Sequence, residues 1–201
     1  MRVVAGSARG RRLQAPPGAD TRPTLDRVRE ALFNALHSLD AVEGAQVLDL
    51  FAGSGALGIE ALSRGAGHCV FVERSRRALA VLEANLTSTG LLDEADVVSG
   101  DALAQLRRWT SELTSGGSCA PETERAGRFD LALLDPPYAT SDDEWVVLLD
   151  LIGPLVGGGV VVVESSRSVP VPPGWHVLRE KRYGDTLLVI TRPTSPPPEP
   201  S

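Results

Sequence analysis

The sequence is poor in the groups that hold metals or crosslinks: it carries two cysteines and three histidines in 201 residues. Cys69 and Cys119 are far apart, and a chain this long does not depend on one disulfide to fold, so both read as free thiols of a reducing compartment. His37, His68 and His176 are equally scattered, with no pair at metal-ligand spacing, and no metal is expected. Long apolar runs are missing as well. Nothing approaches the roughly 20 residues that span a bilayer, and the opening MRVVAGSARGRRL lacks the apolar stretch of roughly 7–15 residues found in a secretory signal. A soluble cytoplasmic protein with no membrane partner is expected.

The net charge is −6, which by itself disfavours a polyanionic partner, because lysine and arginine supply most non-specific affinity for phosphates. The distribution modifies that reading. Residues 1 to 30 hold seven arginines against Asp20, Asp26 and Glu30, a local excess of +4 that leaves −10 elsewhere. A solvated basic face and a nucleic-acid contact fit this concentration equally well.

RVVA and RRLQA are alternating runs around GSARG, which predicts a basic N-terminal β-hairpin over residues 1–20, displaying Arg9, Arg11 and Arg12. Apolar residues at 25, 28, 31, 32, 35, 36 and 39 follow helical spacing, with Thr24 as a possible N-cap. From residue 46, strand-like and helix-like segments alternate: QVLDLF, ALGIEALSR, HCVFVE, SRRALAVLEANLTS, ADVVS, DALAQLRRW, FDLALLD, DEWVVLLDLIGPLV, GGVVVVES. That pattern predicts an α/β fold with a parallel sheet covered by helices. WHVLREKRY and TLLVIT, joined at Gly184 and Asp185, predict a closing antiparallel hairpin. The polar stretch 110–128 reads as a surface loop, and the proline-rich tail 193–201 as disordered, leaving 21–192 as the main domain.

DLFAGSGALG places Gly53, Gly55 and Gly58 between a strand and a helix, where bare backbone lets a ligand approach closely. Glu73 ends the next strand, where a carboxylate can take both hydroxyls of a ribose. A nicotinamide cofactor would fit these features alone. Asp49 tips the balance: an acid just before the glycines sits badly beside a pyrophosphate but suits an ammonium, such as the methionine end of S-adenosylmethionine. No lysine followed by serine or threonine occurs in the loop, so it is not a phosphate-cradling P-loop. Asp101, after the third strand, can accept from an adenine amino group or cap the next helix.

LLDPPY ends the fourth strand at the same edge. An amine on a nucleobase is a weak nucleophile because its lone pair is delocalised into the ring. Two acceptors on its N–H groups, the Asp135 carboxylate and the Pro136 carbonyl, would redirect that lone pair. Consecutive prolines hold the backbone and remove competing donors. Tyr138 could stack on an extruded base, worth about 1–3 kcal/mol.

This D-P-P-Y, following a G-x-G turn, resembles the amino-methyltransferases that modify nucleic-acid bases. RVVAGSARGRRLQAP, TRPTLDRVREALFN, DLFAGSGALGIEALSRGA and KRYGDT together resemble the RsmD family of bacterial 16S rRNA guanine-N2 methyltransferases over residues 1 to 192. The resemblance implies a class I S-adenosylmethionine-dependent (Rossmann-like) methyltransferase fold: seven strands, mostly parallel, the last antiparallel. It implies methyl transfer to one guanine amine in the assembled small ribosomal subunit, by a monomer. Asp135, Pro136 and Tyr138 would be catalytic. Arg22, Thr24, Asp49, Phe51, Gly53, Gly55, Glu73, Arg74, Asp101 and Ala102 would hold the cofactor. Arg2, Arg9, Arg11, Arg12, Pro137, Tyr138, Lys181, Arg182 and Tyr183 would meet rRNA. A DNA adenine or cytosine amino-methyltransferase is the near alternative. A nicotinamide oxidoreductase and a non-catalytic RNA-binding assembly factor are more distant ones.

Overall fold

The computed structural model describes residues 1–16, 23–114, 129–137 and 139–194. Seven strands form one sheet: β1 (Gln46–Leu50), β2 (His68–Glu73), β3 (Ala95–Ser99), β4 (Leu131–Leu134), β5 (Val160–Ser165), β6 (Trp175–Tyr183) and β7 (Thr186–Pro193). Their order is β3-β2-β1-β4-β5-β7-β6. The first five are parallel, and β7 runs antiparallel to both β5 and β6. The expected mostly parallel sheet with a reversed last strand is therefore present. Strand order reverses between β1 and β4, the place where such sheets open a crevice at their carboxyl ends.

The buried strands are almost wholly apolar because helices cover both faces. Val47, Phe71, Leu133 and Val162 face α1 (Pro23–His37), α2 (Ala56–Ser63) and α3 (Arg76–Thr89). Leu48, Val72, Leu134 and Val163 face α4 (Ala102–Thr114) and α5 (Asp142–Val156). Caps set several ends. Ser75 accepts from the Ala78 amide at the start of α3, and Gly90, at φ 75°, closes it. Ser141 and Glu144 form a reciprocal capping box on α5.

Two expectations need correction. Helix α1 begins at Pro23, so Thr24 lies inside its first turn and is not the cap. Proline suits that position because its missing N–H would have no partner within the helix. Helix α4 continues to Thr114, into the stretch expected as loop from 110. Packing explains the extension: Trp109 meets Phe129 with ring centroids 5.9 Å apart, and the Thr110 hydroxyl reaches the Leu151 carbonyl of α5 at 3.1 Å. The remainder of that loop, residues 115–128, and the tail from 195 fall outside the described residues.

The N-terminal arm forms the expected hairpin: its halves pair through an antiparallel bridge between Arg2 and Arg12, and the amides of Val3, Gly10 and Leu13 donate to the carbonyls of Arg11, Val3 and Met1. The next backbone donors turn to α2 instead. Val4 and Ala5 amides donate to the Glu60 carboxylate at 2.8 and 3.0 Å, and the Ser7 amide donates to the Ser63 carbonyl at 2.7 Å. Gly6, at φ +83°, makes this approach possible, since a Cβ there would lie 1.6 Å from the Ser63 oxygen. Glu60 is fully buried and also takes Arg29 at 3.4 Å and Arg64 at 2.7 Å. An ion network inside the core thus holds the arm against α1 and α2.

Candidate active site

Five neighbouring strands each end near an acid. In spatial order these are Asp101 beyond β3, Glu73 on β2, Asp49 on β1, Asp135 after β4 and Glu164 on β5. Register makes this edge coherent: Asp49 pairs with Phe71 and Leu133, and Leu134 with Val163. The Asp49, Asp135 and Glu164 positions share the parity of Val47, Leu133 and Val162, which places all three on the α1/α2 side of the sheet.

The glycine loop is assembled by two of these acids. Asp49 Oδ2 accepts the Gly58 amide at 2.9 Å, tying β1 to the first turn of α2. Glu73 accepts the Gly53 amide at 2.9 Å and the Ser75 amide at 2.7 Å, tying the loop to the start of α3. The glycines divide the labour. Gly53 leaves room for a ligand, whereas a Cβ on Gly55 would strike Leu82 at 2.2 Å and one on Gly58 would strike Phe71 at 2.3 Å. Gly55 and Gly58 therefore serve packing. Phe51 adopts φ 60°, a conformation costly for a non-glycine residue and concentrated at functional sites.

Two cavities meet at Phe51 and Asp135. One, about 310 Å³, is lined by Val72, Glu73, Arg74, Gly100, Ala102, Pro136 and Pro137 in addition to the shared pair. The other, about 260 Å³, brings Asp49, Gly53, Arg29 and Glu164 around the same pair, with Ala15 and Pro16 of the arm as outer wall. Together they form a trough that would take an elongated ligand with its middle against Asp135. Phe51, Glu73, Arg74 and Ala102 thus line one compartment, and Asp49 and Gly53 the other. Gly55 and Asp101 line neither. Asp101 caps α4 through the Ala104 amide at 3.1 Å and lies 3.9 Å from Arg74. Arg22 and Tyr138 fall outside the described residues.

Among the described residues, the carboxyls of Asp135 and Glu164 and the carbonyl of Pro136 have no hydrogen-bond partner, in contrast to Asp49, Glu60, Glu73 and Asp101. Burial drives the electrostatics. It raises Asp49 well above the usual carboxylate range, with the Gly58 amide opposing and the charges of Asp135 and Glu73 reinforcing the rise. Asp135 opens onto both cavities, yet the protein crowding it displaces enough water to push its carboxyl up to about 6. Glu164 is pushed up to about 8 by burial and by the Asp135 charge, with Arg29 pulling the other way. Sequence reasoning passed over Glu164. The signal was present in VVVVES, an apolar run ending in an acid, the same grammar as LALLD.

The basic positions lie on the arm and on β6. Arg2, Arg9, Arg11 and Arg12 are exposed on the arm. Lys181 and Arg182 are exposed on β6, Lys181 lies 5.1 Å over the Tyr183 ring, and Arg182 donates to the Ser166 carbonyl just beyond β5.

Residues 1–192 match the family model described as "Conserved hypothetical protein 95". The chain belongs to this family. Similar proteins in that family's range include Bacillus subtilis (strain 168) YlbH, 40% identical over 194 residues, covering 94% of this chain and 97% of that protein. The "Ribosomal RNA small subunit methyltransferase D" of Escherichia coli (strain K12) is 36% identical, over 92% of this chain and 85% of that one. The solved structure of Escherichia coli yhhF superposes with a TM-score of 0.77 at 32% identity, covering 98% of this chain and 99% of that one. The fold is that of the class I methyltransferases.

Proposed function

We propose that this protein transfers a methyl group from S-adenosylmethionine to the exocyclic N2 amine of one guanine in 16S rRNA, acting as a cytoplasmic monomer on the assembled small ribosomal subunit. The observation that carries this reading is the pair of acceptors without a partner among the described residues, the Asp135 carboxyl at the junction of the two cavities and the Pro136 carbonyl beside it in the first. The name of the Escherichia coli relative supports the substrate.

The residues present fit the methyl donor. Glu73, Arg74 and Ala102 suit the hydroxyl-bearing nucleoside end, and Asp49 beside Gly53 suits the ammonium of the amino-acid end. When bound, the donor supplies an electrophilic methyl on a sulfonium. The chain's own contribution is to position and activate the amine. Asp135 and Pro136 accept its two N–H bonds, which withdraws the lone pair from the ring and aims it. The double proline keeps that carbonyl in place. No base need act before transfer, because the alkylated amine is acidic. Asp135, with its carboxyl near 6, then accepts the proton and passes it to solvent. Water exclusion comes from the arm, whose Ala15 and Pro16 close one side of the cavity. Basic residues of the arm and β6 supply phosphate contacts.

The test offers tritium-labelled S-adenosylmethionine with small subunits from cells lacking this protein, and with plasmid DNA in parallel. Label in the subunits, mapped by mass spectrometry to a guanine N2, is the expected result. Label in DNA, or on another rRNA atom, would refute the proposal.

A further inference from the structure

Among the described residues, Asp135 and Glu164 are the acids that face one cavity without a hydrogen-bond partner. Holding an amine needs only Asp135 and the Pro136 carbonyl, so the second acid requires its own explanation. Arg29 does not supply one: it lies close enough to lower the Glu164 pKa, yet its hydrogen bonds go to Glu60, Asp26 and the Arg2 carbonyl. Neither does the sheet, because Glu164 is the last outward position of β5 on that face, opposite Leu188.

Register sets the spacing. Leu134 pairs with Val163 in the parallel β4–β5 ladder, so one step further Asp135 and Glu164 stand side by side on the same face. Adjacent strands lie about 4.8 Å apart, which puts the two carboxyls where neighbouring groups on one edge of a flat base would meet them. Glu164 also lines the small recess behind Pro136 and Pro137. It therefore borders the seat of the target base from the side away from Asp49.

We propose that Glu164 distinguishes guanine from the other bases by accepting the ring N1–H of the flipped nucleotide while Asp135 and the Pro136 carbonyl hold its N2 amine. This assignment rests on the guanine-N2 reading above and adds a residue to it. Guanine is the base whose reactive amine sits next to a ring N–H. Adenine and cytosine put a ring nitrogen lone pair beside theirs, which an ionised Glu164 would repel and a protonated one could meet only through its O–H, one hydrogen bond where guanine, with N1–H beside O6, makes two. The raised pKa is compatible with this role. In either protonation state the carboxyl offers an oxygen to N1–H, and in the acid form its O–H also meets the guanine O6.

The experiment uses small subunits reconstituted with rRNA carrying either guanosine or 2-aminopurine riboside at the methylated position. The analogue keeps the purine and its 2-amine but lacks N1–H and O6. With wild-type enzyme, kcat/KM favours guanosine. Glu164→Ala lowers kcat/KM on guanosine by roughly tenfold to a hundredfold, the scale of one lost base-reading contact, and does not lower the 2-aminopurine rate comparably, because the bare N1 gives Glu164 no N–H to accept. Glu164→Gln, whose amide carbonyl accepts the same N–H, recovers most of the guanosine rate. Calorimetric binding of S-adenosylmethionine to each variant confirms an intact site. An equal loss on both substrates, no loss on either, or failure of Glu164→Gln to recover guanosine transfer overturns the assignment. If wild-type enzyme modifies no guanine N2, the function itself fails, and that result is visible before any variant is made.

Discussion

Glu60 and Asp135 lie on the same side of one sheet and teach opposite lessons about acids crowded by protein, the first shut away from solvent and the second open to it. Glu60 is fully enclosed and saturated: two amides of the N-terminal arm and two arginines satisfy it. Its charge is neutralised where it stands, and it holds structure. Asp135 has no such company and carries a raised pKa, so its unmet hydrogen-bonding capacity points into the trough. How closely protein crowds an acid says little about its role. Whether the protein itself satisfies that acid says a great deal. Asp49 stands between the two, with one oxygen spent on the Gly58 amide and its carboxyl still lining a cavity.

The sharpest break in this comparison comes from removing the unsatisfied acid. Asp135→Ala should lower methyl transfer by on the order of 10³-fold, as when a preorganised polar group is lost from an active site. Calorimetric affinity for S-adenosylmethionine should hold, and unchanged turnover would contradict the role. Glu60→Gln should act the other way round. It removes the buried charge that faces Arg29 and Arg64 and leaves Arg29, 4% exposed, with Asp26 alone, which should cost about 3 kcal/mol of stability, or on the order of 10 °C in a thermal melt. Turnover per folded molecule should then fall mainly through loosening of the arm.

Asp49→Asn is intermediate. The asparagine carbonyl can still take the Gly58 amide, so the melting temperature should scarcely move. Affinity for the donor should fall about tenfold as a charge-assisted contact becomes neutral. A large thermal shift would mean that Asp49 is purely structural. The smallest effect is on pH. Transfer should rise with pH through about 6 as Asp135 ionises and becomes a full acceptor. Stability should show the opposite trend. Unfolded carboxyls titrate near about 4, whereas Asp135 and Glu164 hold protons up to about 6 and about 8. Their contribution is thus complete below about 4 and is lost as pH rises through those folded values. Denaturant unfolding between pH 5 and 9 should show this decline, and Glu164→Gln should flatten its upper half.

Much of the site was legible before folding because its acids obey one grammar, an apolar run stopped by a carboxylate. Asp49, Glu73 and Asp135 were found that way, and the LALLD and VVVVES runs end alike. Glu164 was missed because nothing in VVVVES says which strand lies beside it. Only the β4–β5 register brings it next to Asp135. Gly55 and Gly58 show the converse. A side chain on either would meet Leu82 or Phe71, contacts created by packing α3 and β2 against the loop, a demand that the neighbouring residues in the chain do not announce. The arm's hairpin is legible because alternation in RVVA and RRLQA is local, but its anchor is not: Glu60 lies more than fifty residues away.

The sequence by itself determined the order of strands and helices, the glycine loop, and the acid and prolines after the fourth strand, because periodicity and backbone restriction act between near neighbours in the chain. Tertiary structure alone decided which acids are satisfied and which remain open. Hydrogen-bond partners, neighbouring charges and loss of water are properties of what surrounds a group in space, and chain order does not specify them.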